Sequence, residues 1–195
     1  YLKKNNHLKI LDLGCTHVNY WEEANHFADI VDYTKQFSEK NLNFTLLEVD
    51  KKLPFKDKEF DFVITSHVIE HVEDVDFFIQ ELQRISTKGY IELPTILEDN
   101  LVFENKKDHI WHMEFDDDQN KLIISKKTQF LEPVLTVSSA KNFSRYFRQS
   151  LVLELFWENS IEFEIITKDN SNLVKISRLS LFRKFFSKLL RNIFR

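Results

Sequence analysis

Five short apolar runs recur between residues 8 and 94, and their spacing constrains the fold more than any other feature of the chain. LKILDL (8–13), ADIVDY (28–33), FTLLEV (44–49), DFVITS (61–66) and YIELP (90–94) are rich in aliphatic and β-branched residues and bounded by turn or polar residues. Each has the form of a buried strand. The segments between them are long enough for helices or crossovers. The clearest, VDFFIQELQRI (75–85), has apolar residues at 75, 78, 79, 82 and 85, which form one helical face. Strand alternating with helix predicts an α/β fold, a Rossmann-like, mostly parallel sheet with helices on both faces.

After Pro94 the pattern changes. HIWHMEF and KLIISKK flank the polar run DDDQN, which predicts a small β-hairpin inserted after strand five. SSAKNFSRYFRQS (138–150) reads as a helix with Ser at its N-cap. LVLELFW and IEFEIIT, joined by ENS, predict a terminal antiparallel β-hairpin. The expected organisation is one domain over 1–172, with an insertion at about 96–134, followed by a basic amphipathic helix over 173–195.

A chain of 195 residues with 43% hydrophobic content and 19 Phe can fill one core. No apolar run approaches the roughly 20 residues that cross a bilayer, and the single cysteine, Cys15, fits a reducing compartment. The expectation is a cytoplasmic protein. Seven of the 27 basic residues fall in the last 21 positions, where there is no acid, so the body before them is strongly acidic. Such a body makes nucleic acid an unlikely partner, because affinity for phosphate backbones needs clustered Lys and Arg. The tail places Phe182, Phe185, Phe186, Leu189, Leu190 and Ile193 on one side and Arg183, Lys184, Lys188, Arg191 and Arg195 on the other. That pattern suits a peripheral contact with the inner membrane surface or with a protein, through residues 178–195.

Open parallel sheets bind ligands beyond the carboxyl ends of their strands. Those ends read Asp12-Leu13-Gly14, Asp32, Asp50, Ser66-His67 and Glu92-Leu93-Pro94. An acid that closes the second strand can accept hydrogen bonds from both ribose hydroxyls. Asp32 follows Gly14 by 18 residues, near that spacing. No glycine-rich run with Lys-Ser/Thr exists to cradle phosphates, and Thr16 stands where a dinucleotide fingerprint needs its second glycine. The loop is expected to face a nucleoside.

These residues resemble the class I S-adenosylmethionine-dependent methyltransferases of the type 11 kind. ILDLGC is similar to their first motif and ADIVDY to the acidic second. VDKKLPFKDKEFDFVITSHVIEHVED resembles the stretch from the adenine-contacting acid to the Glu-His after strand four, and GYIELP the fifth strand. The resemblance implies S-adenosyl-L-methionine as cofactor. Asp12 and Gly14 would shape the loop by the methionine moiety, and Asp32 would bind the ribose. Asp50 and the backbone of Lys51 would meet the adenine, with Leu53 and Phe55 packing nearby, while Ser66 and His67 would line the site below the methyl group. The implied activity is methyl transfer to an oxygen or nitrogen of a small-molecule or carbohydrate-like acceptor. Thr16 and the short segment from Gly14 to Asp32 depart from the family pattern, so a non-catalytic scaffold with a membrane- or partner-binding tail is the alternative.

His67 is the first candidate for a general base and His112 the second, with no metal assigned. His67-Val-Ile-Glu70-His71 also spells H-x-x-E-H, a zinc-hydrolase pattern, but it follows a strand where that motif needs a helix. His109 and His112, if both lie on a strand, point to opposite faces. Tyr20 and Trp21 could pack against a sulfonium or in the core. Asp116, Asp117 and Asp118 read as a solvated turn.

Overall fold

The computed structural model describes residues 7–49, 51–166 and 177–193. In chain order the strands are β1 (Ile10–Leu13), β2 (His26–Asp29), β3 (Asn43–Leu46), β4 (Phe62–Ser66), β5 (Lys88–Pro94), β6 (Trp111–Asp116), β7 (Lys121–Lys126), β8 (Val152–Glu158) and β9 (Phe163–Ile166). The helices are α1 (Thr34–Glu39), α2 (Val75–Ile85), α3 (Ile96–Leu101), α4 (Asn105–Asp108), α5 (Val137–Leu151) and α6 (Arg178–Ile193). The main sheet has the order β3-β2-β1-β4-β5-β8. Its first five strands pair in parallel, and β8 runs antiparallel to β5 from Lys88↔Glu158 to Pro94↔Val152. The expected mostly parallel α/β sheet is formed.

Alternation along the strands sorts side chains to two faces. Leu11, Leu13, Val63 and Ile91 meet Val75, Ile79, Leu82 and Ile85 of α2, and Trp111, Met113, Leu122 and Ile124 of the smaller sheet join the same cluster. Helix α2 begins where the sequence predicts, because Asp74 caps it by accepting from Phe77 N–H at 3.0 Å. Ile10, Phe27, Phe62, Ile64 and Tyr90 form the opposite face with Cys15, Ala24 and Phe37. Here α1 contributes Phe37, stacked between Phe27 at 4.8 Å and Phe44 at 5.1 Å. The crossover from β1 to β2 carries no helix. In residues 14–25 the rings Tyr20 and Trp21 cover the sheet instead.

Three sequence expectations shift. Strand β2 closes at Asp29, so Asp32 lies in the loop before α1. The N-cap of α5 is Thr136, whose hydroxyl accepts from Ser139 N–H, not Ser138. Strands β8 and β9 form as expected but do not pair as a terminal hairpin. Asn159 turns the chain through a left-handed conformation (φ +69°), and Ile161 is buried with its N–H donating to Gln83 Oε1 at 2.9 Å. That anchor carries the chain past the edge of β8, and β9 pairs in parallel with β7. The inserted hairpin β6–β7 forms as read, its turn held by Asp118 and Gln119 N–H groups donating to Asp116 Oδ1.

Both glycines are fixed by contact. A Cβ on Gly89 would stand 2.5 Å from Trp157 Nε1 and from the Val63 carbonyl oxygen. One on Gly14, already at φ +87°, would stand 2.1 Å from Val68 Cγ2. Among the described residues, no helix is long and apolar enough to cross a membrane.

Candidate active site

A cleft of about 720 Å³ opens beyond the carboxyl ends of β1, β4 and β5. The loop after β1 contributes Asp12, Gly14, Tyr20 and Trp21, and the segment after β4 contributes Ser66, His67 and His71. Glu92 of β5, Glu98 of α3, His109 after α4, and Lys141 and Arg148 of α5 complete the walls. The sheet therefore places its opening where open parallel sheets take ligands.

Asp12 is buried at the end of β1, and its Oδ2 accepts from Trp21 N–H at 2.8 Å. Burial, more than that hydrogen bond opposes it, pushes its carboxyl up to about 7. Gly14 N–H is engaged by the Ala28 carbonyl at 2.8 Å, and its missing side chain makes room for Val68. Cys15 is buried, and its thiol is pushed up to about 12 by burial and by Asp12 nearby.

His67 adopts a left-handed backbone conformation (φ +56°) that turns its ring between two acids. Nδ1 stands 3.3 Å from Glu70 Oε1 and Nε2 stands 3.5 Å from Glu92 Oε1. Burial on its own lowers the imidazole pKa, but the two carboxylates outweigh it and push the value up to about 10. An imidazolium held in this way is poorly disposed to act as the general base that the sequence assigns to it. Glu92 is the hub of the same wall. Ser66 Oγ and the Tyr90 hydroxyl donate to it at 3.2 and 2.8 Å, and Arg148 pairs with it and with Glu154. Burial opposes its charge, yet the bonds from His67 and Tyr90 and the Arg148 guanidinium hold its carboxyl down at about 2.

The two later histidines share one acid. Asp99 is buried and pairs with His109 Nδ1, with His112 Nε2 at 3.3 Å and with Lys127 Nζ at 3.3 Å. Burial resists ionisation, but these partners hold its carboxyl well below the usual range. His109 precedes β6, so strand alternation does not apply to it, and both rings reach the same side. His109 lines the cleft, whereas His112 is buried behind it. His112 is thereby a poor second candidate for contact with an acceptor.

The nucleoside residues are not gathered in this cleft. Asp32 is exposed, its Oδ1 accepting from Thr34 N–H at 2.9 Å. Lys51 is exposed. Leu53 and Phe55 are buried in the α2 core, Leu53 N–H donating to Glu81 Oε2 at 2.8 Å. None of these four lines the cleft, and Asp50 lies outside the described residues. Sequence reasoning gave no role to Glu92, Glu98, Asp99 or Arg148. A charged residue inside the apolar strand YIELP was the one available signal, and it pointed to Glu92.

Residues 8–91 match the family whose model is described as "Methyltransferase domain". S-adenosylmethionine is the cofactor of the family that the motifs resemble. No curated protein matches the chain. Among solved structures, the [4+2]-cyclase SpnF aligns at 15% identity over 45% of this chain and 39% of its own, with a TM-score of 0.38. An S-adenosylmethionine-dependent methyltransferase from Mesorhizobium loti aligns at 18% identity over 48% of this chain and 50% of its own, with a TM-score of 0.40. A complex of the Haloferax volcanii Trm112 methyltransferase activator and a putative methyltransferase aligns at 14% identity, covering 78% of this chain and 83% of that one, with a TM-score of 0.46. The chain thus spans half or less of the length of the first two of these structures.

Proposed function

We infer from the methyltransferase-domain match over residues 8–91 that the chain transfers the methyl group of S-adenosylmethionine to an oxygen or nitrogen of a small-molecule or carbohydrate-like acceptor. The observation that carries this reading is the coincidence of that match with a cleft at the carboxyl ends of β1, β4 and β5. When bound, the cofactor supplies a methyl group already activated by the positive charge on sulfur. The protein's part is then alignment, and such positioning supplies roughly 7–11 kcal/mol of a barrier.

The amino-acid end of the cofactor fits beside the loop after β1, where Asp12 of β1, Trp21 of that loop and Ser66 of β4 face the cleft. Asp12 is the group for the methionine ammonium, and that cation would draw its carboxyl into the charged form. For the ribose hydroxyls, Asp32 remains the acid of the matching motif, while Asp29 closes β2. On the acceptor side, His109 oriented by Asp99 replaces His67 and His112 as the favoured residue. The domain organisation proposed is a body over 1–172 with the α6 tail as a separate attachment element.

One observation favours the second reading, a methyltransferase-like scaffold without catalysis. Val68 occupies the space above Gly14, and Asp32, Lys51 and Leu53 stand outside the cleft. Calorimetric titration of S-adenosylhomocysteine separates the two. Saturable binding weakened at least tenfold by Asp32→Asn or Asp29→Asn supports the enzyme and identifies the ribose acid. No binding to folded protein supports the scaffold.

A further inference from the structure

We propose that Glu70, His71 and His109 form a site for a divalent metal ion of the zinc type, at the acceptor end of the cleft. One potential ligand atom from each of the three lies within 4.8 Å of the other two. The residues come from separate elements. Glu70 and His71 sit on the 3-10 turn Ile69–His71 after β4, and His109 follows α4. The two pieces are joined by Ile110 N–H donating to the Glu70 carbonyl at 2.7 Å.

Hydrogen bonds already orient both imidazoles. His71 Nδ1 contacts the Asp108 carbonyl oxygen at 2.9 Å, and a carbonyl only accepts, so that nitrogen carries the proton. His109 Nδ1 donates in the same way to the buried Asp99 carboxylate. In the neutral form each ring therefore keeps its lone pair on Nε2. An imidazole whose second nitrogen donates to a carboxylate or a backbone carbonyl is the usual arrangement around a bound metal. The rings meet edge to face with centroids 4.5 Å apart.

The independent observation is Glu70. Its side chain is 1% exposed; Oε1 has the His67 ring 3.3 Å away, and Oε2 has no hydrogen-bond partner among the described residues. A buried carboxylate oxygen left without a hydrogen bond is costly. Glu98 beside it, which feels both Glu70 and His109, also has a buried oxygen without a partner. A dication held by Glu70 supplies the partner that Oε2 lacks and lies in a region of negative charge.

Two nitrogens and one carboxylate oxygen are a donor set that zinc accepts, with a fourth position left for water or substrate. His71 and His109 line the cleft, so that position opens toward it. Ligands at about 2.0–2.1 Å in a tetrahedron stand about 3.3 Å apart, so closure from separations within 4.8 Å brings each pair together by at most about 1.5 Å. The ligand set differs from the H-x-x-E-H reading, because His67 is held by Glu70 and Glu92 while His109 comes from 38 residues beyond His71. The inference does not require the methyl-donor reading; with a metal bound, the Nε2 lone pair of His109 is taken up by coordination and the ring no longer acts as a free base at the acceptor.

The test is titration of zinc(II) alone into the chelator-treated full chain by calorimetry, with cobalt(II) substitution read by visible absorption. The variants are Glu70→Gln, His109→Ala and, as control, Asp117→Asn on the hairpin tip, each checked for folding by thermal unfolding without metal. One equivalent bound, weakened at least tenfold in both ligand variants and unchanged in the control, is expected, with a tetrahedral cobalt spectrum. If a ligand variant does not fold, His71→Ala, at an exposed position, replaces it. No saturable binding, or binding that persists in the folded variants as an adventitious ion only, overturns the proposal.

Discussion

His109 and Lys127 both reach Asp99, one from the end of α4 and the other from just beyond β7, and neither they nor the acid is more than 7% exposed at the side chain. This pairing fastens the inserted hairpin to the wall of the cleft. Lys127 Nζ also donates to the Asn105 carbonyl, so the ammonium is well hydrogen-bonded only while the acid balances its charge. Burial draws the pKa of Lys127 downward against that pairing.

Asp99→Asn removes one partner of a buried ion pair and leaves the other uncompensated, which costs about 3–5 kcal/mol. Denaturant unfolding of Asp99→Asn should show a loss of that size. Replacing both partners, Asp99→Asn with Lys127→Met, should recover a large part of it. A double variant no better than the single one would mean that the acid acts through the histidines and not through the lysine.

Gly14 carries a sharper expectation. Gly14→Ala forces a side chain into a left-handed backbone and against Val68 Cγ2, 2.1 Å from the new carbon. Strain of the first kind costs about 1–3 kcal/mol and overpacking a similar amount. Urea midpoints should fall accordingly, and Val68→Ala in the Gly14→Ala background should restore the packing share only. Full recovery would place the whole penalty in packing.

The parallel sheet was legible because its central strands β1, β4 and β5 are buried on both faces and so read as nearly continuous apolar runs. Helix α2 was legible to the residue, since its cap and its apolar spacing are local. The β8–β9 pairing was not, because a short turn is the same local signal whether the second strand returns or leaves. What decides it is Ile161 N–H reaching Gln83, 78 positions away in sequence. The site divided in the same way. Asp12, Gly14, Ser66 and His67 were found by their place after strands, and the cleft gathers them. The acids that set the charge state of His67, Glu70 and Glu92, come from two elements, and no spacing rule joins them.

Asp12 gives a pH dependence with a definite sign. Its carboxyl is raised from 3.8 to about 7 in the folded chain, so between those values the folded form binds a proton that the unfolded chain has released. Stability then falls as pH rises through that window, and the full cost of the buried charge is present above it. At about 1.4 kcal/mol per unit the contribution is at most about 4 kcal/mol. Asp12→Asn keeps an acceptor for Trp21 N–H and removes the titration. Unfolding at pH 5 and at pH 8 should show the variant gaining on the natural chain as pH rises; an equal difference at both values would mean that the carboxyl ionises normally.

Helix α6 leaves Leu179, Phe182, Phe185, Phe186, Leu189 and Leu190 between 43% and 63% exposed, so its apolar face is not covered by the body. With Arg183, Lys184 and Lys188 on the same helix and no acid among residues 178–193, the surface that complements it is apolar and anionic. Each basic residue near an anionic leaflet contributes about 1 kcal/mol, and salt weakens that share. The full chain should co-sediment with vesicles containing anionic lipid more strongly than with zwitterionic ones. Phe185→Glu with Phe186→Glu should reduce that binding at least tenfold while leaving the thermal unfolding midpoint unchanged, because neither ring is buried in the folded chain. A lowered midpoint with vesicle binding retained would mean that the face docks on the acidic body of its own domain, and the tail would then be part of the fold.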